Sequence, residues 1–169
     1  MELKHHTHAD ARDVRSLLLD LHDTAYSDST DPFHSRERFS GYVDRWSARE
    51  DWQCVSGWEG GTPVGYAYGS KFKPGGWWKG ARRPEGVRGK ILGLSELLVT
   101  PQWRGKGLSR ILHNALLDTQ DIDFVTLLVE QRKPRVQAMY EKWGYTRRGE
   151  VEQLADAPPY AVMVRDMRL

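Results

Sequence analysis

Residues 94–109 hold an apolar run that ends in Val99-Thr100-Pro101-Gln102-Trp103-Arg104-Gly105-Lys106-Gly107-Leu108-Ser109 and passes directly into residues of helical periodicity. Read as a strand, a tight glycine turn and a helix start, this order builds an anion site from backbone alone. The first N–H groups of a helix have no internal partner, and the helix dipole places partial positive charge beside them. A pyrophosphate suits such a place. The spacing excludes two familiar nucleotide sites. A Walker loop needs a longer spacer before its Gly-Lys-Ser/Thr than Gly105-Lys106-Gly107-Leu108-Ser109 supplies, and a dinucleotide fingerprint needs a small residue where Arg110 stands. A second chemical signal lies just upstream. Glu96 interrupts Leu94-Ser95-Glu96-Leu97-Leu98-Val99, and a carboxylate in an apolar strand costs free energy unless it is paired or functional.

The elements that must position these residues follow from periodicity. Residues 2–7 and the central run 91–99 read as strands. Ala11, Val14, Leu17, Leu18 and Leu21 recur at helical spacing within 10–24, and Phe39, Tyr42, Val43 and Trp46 do so within 35–48. Residues 52–58 and 63–72 read as strands joined at Glu59-Gly60-Gly61-Thr62, a hairpin signal. Downstream, Leu108, Ile111, Leu112, Ala115 and Leu116 give a helix over 104–119, residues 124–129 a short strand, and 134–143 a helix opened by Pro134 and stopped by Gly144. Residues 145–150 and 161–167 supply strands separated by the Asp156-Ala157-Pro158-Pro159 turn. Strand, helix, strand, helix, strand implies a parallel core pair within a mixed sheet, with antiparallel hairpins on its flanks.

Composition bounds the function. The 169 residues, 39% hydrophobic and 28% charged, suit one domain spanning 1–169 with a real core. No apolar run approaches ~18 residues and the N-terminus lacks a signal-peptide core, so the expected location is cytoplasmic with no membrane partner. The single cysteine, Cys54, excludes an internal disulfide and reads as a small buried hydrophobe. His5, His6 and His8 lack the ligand spacing of a metal site, so no metal is expected.

A net charge of +2 does not argue for nucleic acid, but its distribution is uneven. Residues 71–90 carry seven basic side chains against Glu85, a net +6, together with five glycines and the pair Trp77-Trp78. This segment reads as a basic Gly/Trp-rich loop insertion. Its two tryptophans could wall an acceptor pocket as part of a mobile lid, or offer a stacking platform to a nucleic acid.

Gln102-x-x-Gly105-x-Gly107 after a strand resembles the acetyl-CoA loop, Gln/Arg-x-x-Gly-x-Gly/Ala, of the GNAT superfamily of N-acetyltransferases. A second segment, Gln137-Ala138-Met139-Tyr140-Glu141-Lys142-Trp143-Gly144-Tyr145, is similar to that family's Tyr-Glu-Lys-x-Gly-Phe/Tyr signature, and the interval from Gly107 to Tyr140 leaves room for one helix and one strand. The order of elements extends the resemblance over most of the chain. It implies a mixed α/β (α+β) fold, a central mixed β-sheet flanked by helices in which a splayed parallel strand pair forms the acetyl-CoA cleft.

The resemblance also implies roles. Backbone amides of Arg104, Gly105, Lys106, Gly107, Leu108 and Ser109 would hold the pyrophosphate of acetyl-CoA, with Arg104 and Lys106 adding charge. Leu97, Leu98 and Val99 would pair with the pantetheine arm, and a backbone N–H near Leu97 or Leu98 would stabilise the developing oxyanion. Glu96 would act as the base that frees the amine, and Tyr140 would assist departure of the thiolate. One departure from the family pattern stands at Lys133, where many members carry a cofactor-contacting asparagine. The activity implied is direct acetyl transfer, within a ternary complex, to a primary amine of a small molecule such as an antibiotic, a polyamine-like metabolite or an amino-acid derivative. Alternatives are a protein lysine or N-terminal acetyltransferase, a nucleic-acid-binding module using the basic loop, and an acyl-CoA binder without turnover. The chain's sequence leaves a homodimer open.

Overall fold

The computed structural model of the chain describes residues 1–151 and 157–169, so Asp156 of the expected turn lies outside the described residues. The strands are β1 (Glu2–Thr7), β2 (Gln53–Glu59), β3 (Thr62–Lys71), β4 (Ile91–Val99), β5 (Phe124–Glu130), β6 (Thr146–Val151) and β7 (Tyr160–Asp166). The α-helices are α1 (Ala11–Ala25), α2 (Arg36–Ser47), α3 (Leu108–Leu117) and α4 (Pro134–Lys142). The sheet order is β1-β2-β3-β4-β5-β7-β6, with β4 and β5 parallel and the pairs β1–β2, β2–β3, β5–β7 and β6–β7 antiparallel. This is the mixed α/β sheet flanked by helices that the sequence led us to expect. The chain divides into two compact units, Met1–Ser70 with Ser95–Gln120, and Lys71–Leu94 with Asp121–Leu169.

In the first unit the Gly60-Gly61 turn, both residues left-handed, closes the β2–β3 hairpin as its sequence predicts. The register pairs Val55 with Ala67 and Gly57 with Gly65 on one face, and Cys54 with Tyr68 and Ser56 with Tyr66 on the other. The small-residue face takes α3: a Cβ on Gly57 or Gly65 would stand within 3.2 Å of the Leu112 side chain. Helix α1 buries Val14, Leu18 and Leu21, and α2 buries Phe39, Val43 and Trp46, each set at helical spacing. The two helices meet through His22, whose ring stacks on Phe39 at 3.9 Å between centroids, and through Arg15, which donates twice to the Asp44 carboxylate.

The second unit is built on β4-β5-β7-β6, with Ile91 opposite Phe124 and Gly93 opposite Thr126 in the parallel pair. Strand β7 lies between β5 and β6, so the strand that follows α4 is the outer one. Residues 72–90 form neither helix nor strand, as expected of the basic loop, yet they are seated at several points. Trp78 is buried, and its indole Nε1–H donates to Thr126 Oγ1 at 3.0 Å, while that hydroxyl donates to the Met163 carbonyl. Val87 is buried, the Lys90 N–H donates to Asp123, and Arg148 donates to the Glu85 carbonyl. Trp78 is therefore a core residue, neither a lid wall nor a stacking platform, because the indole that would face a ligand is already packed and hydrogen-bonded.

Two further expectations need correction. Helix α3 begins at Leu108, not at 104, because Gly105 and Gly107 are left-handed and a 3-10 turn covers Pro101–Trp103. Ile111, placed on the apolar face by spacing, is 44% exposed, and His113 and Leu117 are buried instead. Starting the helix later does not change its phase. The buried stripe is simply centred on Leu112 and Leu116.

Two predictions follow from this packing. Thr126→Val retains the side chain's shape but leaves the Trp78 N–H without an acceptor, which should cost ~1–3 kcal/mol. Urea unfolding should show a smaller cost for Thr126→Val in a Trp78→Phe background, where no N–H remains; equal costs in both backgrounds would separate the two residues.

The second concerns His22, which is buried with Nδ1 lacking a hydrogen-bond partner among the described residues; burial lowers its pKa from 6.5 to about 4. Between those values the unfolded chain binds more protons than the folded one. The stability from a neutral His22 is thus fully present above pH 6.5 and is lost as the pH falls towards 4, an amount on the order of 2 kcal/mol. Urea titrations should show wild type losing more stability than His22→Gln between pH 7 and 4.5. Parallel losses would reject the effect.

Candidate active site

The glycine turn stands where the sequence places it. Gly105 and Gly107 have φ of 74° and 76°, conformations that a side chain with a Cβ disfavours, and a Cβ built on either would meet nothing within 4 Å. Gly107 is the N-cap of α3 and no side chain caps the helix. Ser, Thr, Asp or Asn would normally supply an oxygen at this position. The first intrahelical donor is the Ile111 N–H, bonded to Gly107, so the N–H groups of Leu108, Ser109 and Arg110 precede the helical ladder. A concave run of N–H donors beside open space fits a pyrophosphate.

The charged side chains of this turn are partly engaged. Arg104 Nε donates to the Val99 carbonyl at 2.9 Å, so this guanidinium braces the turn against the end of β4. The Lys106 ammonium lies 4.4 Å over the Trp103 ring. The Trp103 Nε1 is buried without a hydrogen-bond partner among the described residues. Gln102 lines a cavity of about 310 Å³ together with Leu17, Asp20 and Thr24 of α1.

Leu97, Leu98 and Val99 form the end of β4, and β3 runs directly alongside them. The Thr100 N–H donates to the Val64 carbonyl at 2.9 Å, and a Cβ on Gly65 would stand 2.3 Å from the Leu98 carbonyl oxygen. Glu96 is half-buried in the same stretch. Around it lies a group the sequence reading missed. Tyr66 and Tyr68 are fully buried, and burial first, then the Glu96 carboxylate, pushes both phenols well above their usual pKa. Ser95 sits beside Tyr68, and Tyr26 and Arg45 also come within electrostatic reach of this pair. The sequence signal was the Tyr66-Ala67-Tyr68 alternation, which puts both rings on one face of a strand adjacent to the acid.

Other singled-out residues stand on other elements. Tyr140, in the second unit, is buried in α4 and meets Trp143 and Tyr145 edge-on at 5.3 and 5.4 Å. Lys133, at the N-cap of that helix, has its ammonium 3.4 Å from the Glu130 carboxylate, and Arg132 also pairs with Glu130. Cys54 is buried and burial raises its thiol pKa, so it offers no thiolate. Among the described residues no group of three His, Cys, Asp or Glu side chains could hold a metal ion; His6 and His8 bond instead to Ser56 Oγ and the Ser47 carbonyl. No helix among them is long and apolar enough to cross a membrane.

The sequence model of the Acetyltransferase (GNAT) family matches residues 16–145. No curated protein sequence matches the chain. Among solved structures, PH1933 from Pyrococcus horikoshii OT3 superposes with a TM-score of 0.66 at 18% identity, covering 99% of this chain and 100% of that one. The PaiA N-acetyltransferase from Thermoplasma acidophilum, solved in complex with coenzyme A, gives 0.57 at 12% identity over 98% and 99% of the two chains. A chain of the NatC complex bound to Gag peptide and CoA gives 0.62 at 16% identity, with 99% of each chain covered. At these identities the structures share a fold. With the family match spanning most of its length, the chain belongs to the GNAT family of acetyltransferases, enzymes that take their acyl group from acetyl-CoA.

Proposed function

We propose that this protein is an N-acetyltransferase that acetylates a primary amine of a small molecule directly, with donor and acceptor bound together. The observation that carries the reading is the left-handed Gly105–Gly107 turn opening an uncapped α3. The backbone N–H groups of residues 104–109 hold the pyrophosphate, and Leu97, Leu98 and Val99 offer strand-edge groups to the amide-bearing arm. Acetyl-CoA, when bound, supplies the thioester acyl group.

The protein's own residues then handle protons and charge. An alkylamine with a pKa of ~10 is almost entirely protonated at neutral pH, so nucleophilicity depends on removal of that proton. Glu96 accepts it at its carboxylate. An N–H near Leu97 or Leu98 donates to the acyl oxygen as negative charge builds there. Tyr140 holds a proton at Oη for the departing sulfur. Fully buried phenols around Glu96 support a compact cationic amine as the acceptor, since a carboxylate among aromatic rings favours such a group and disfavours an anion. Similarity to a peptide-bound complex supports including a peptide N-terminus as a competing acceptor.

Gly105→Val should fill the open space beside the N–H run and abolish measurable acetyl-CoA binding in calorimetry while the protein stays folded; retained wild-type affinity would remove the pyrophosphate from this turn. In a thiol-release assay against a panel of amines that includes a peptide N-terminus, Glu96→Gln and Tyr140→Phe should each lower turnover by ~10²–10⁴ with donor affinity nearly unchanged. The Glu96→Gln loss should shrink as the pH approaches the amine's own pKa. A loss of equal size at every pH would assign Glu96 to binding or structure.

A further inference from the structure

The Tyr66 side chain is fully buried, and its hydroxyl has no hydrogen-bond partner among the described residues. Such groups are rare, because a buried donor without an acceptor forfeits the hydration it had in the unfolded chain. A persistent one marks an ordered water or a ligand atom. The Trp52 Nε1, on a ring 5.9 Å from Tyr68, is orphaned in the same way. These donors are held on a fixed frame. Tyr66 lies one residue beyond Gly65, whose missing side chain lets β3 approach the Leu98 carbonyl, and opposite Ser56 in the β2–β3 register. Tyr66 thus stands on β3 beside the end of β4, fully buried and within electrostatic reach of the Glu96 carboxylate.

We propose that Tyr66 is a positioning residue for Glu96: its phenol O–H donates to an ordered water that in turn donates to the Glu96 carboxylate, fixing the orientation of the base and favouring its ionised form. Burial first, and the nearby Glu96 charge second, keep the Tyr66 phenol protonated and hence a donor. A carboxylate supplied with an extra donor holds its proton less tightly. The proton taken from the acceptor amine stays on the Glu96 carboxyl, so Tyr66 acts through Glu96 and does not touch the acyl group. The inference rests on Glu96 serving as the base.

The test reads Glu96 directly and needs no acceptor. Protein carrying carboxyl-¹³C glutamate is titrated by NMR, with the Glu96 resonance assigned by its loss in Glu96→Gln. In Tyr66→Phe the Glu96 midpoint should move upward by about one pH unit, the size expected from removing one hydrogen bond to a charged group. Acetyl-CoA affinity should stay within twofold of wild type, because the α3 turn is untouched. An unmoved midpoint in folded Tyr66→Phe overturns the proposal. Should that variant not fold, a crystal structure of the unaltered protein decides the matter: a water within hydrogen-bond distance of both Tyr66 Oη and Glu96 supports the link, and a dry gap overturns it. Failure of the broader reading would show separately, as wild-type turnover in Glu96→Gln.

Discussion

A helix can satisfy its first N–H groups with a side chain of its own or leave them without one, and α3 does the second. Gly107 occupies the N-cap in a left-handed conformation and no side-chain oxygen replaces the missing cap. The surrounding structure holds that unsatisfied end in place. Thr100 bonds to the Val64 carbonyl through both its N–H and its hydroxyl, which fixes where β4 ends. Arg104 ties the turn back to Val99, and Leu112 and Leu116, both fully buried, clamp the body of the helix to the sheet. Without this clamping the exposed N–H groups would be satisfied by fraying into water. With it, the turn is held in one conformation, and an anion bound there, as proposed above, would meet little opposing ordering entropy.

Strand β3 serves both sides of that arrangement through its alternation. Gly65 and Ala67 present almost no side chain towards α3, which allows the helix to pack closely; Tyr66 and Tyr68 lie on the other face, fully buried. One strand thus sets the approach of α3 and the surroundings of Glu96 together. A side chain at Gly65 would have to displace the Leu98 carbonyl, a backbone atom of the strand that bears the acid. Any such displacement would move the tyrosines and Glu96 relative to each other. The constraint is steric and acts through backbone, so no rotamer change can relieve it.

How much of this could be read from the sequence depended on the range of the signal. Strands β1 and β4 fall where their local pattern puts them, and the Gly60-Gly61 turn and the Gly144 stop act through conformational preferences confined to one or two residues. Gln102-x-x-Gly105-x-Gly107 was legible as a glycine turn before a helix for the same reason: a left-handed backbone is a property of a short segment. The start of α3 was misplaced because periodicity counts apolar residues and does not see that two left-handed glycines break the helical backbone. The tyrosines near Glu96 were not legible because their neighbours come from a strand pairing, a contact made across long sequence separation. Trp78 was misread for a related reason: a glycine-rich basic segment looks solvated, and only Thr126, distant in sequence, supplies the hydrogen bond that allows its indole to be buried.

The basic loop shows how charge and anchoring separate within one segment. Its place in the second unit is set by an apolar ring with one satisfied N–H, by Val87, and by the Lys90 contacts to Asp121 and Asp123. Arg82 and Arg83 contribute little to that. They line an open cavity of about 380 Å³ with Arg148, whose guanidinium reaches the loop through the Glu85 carbonyl. Exposed charges of this kind add little stability, because water and salt screen them within ~10 Å and an ordered side chain loses entropy. Their collective field acts beyond contact distance, on the arrival of charged molecules. Trp78 therefore decides where the loop's backbone lies, and the arginines decide what that backbone presents to solution.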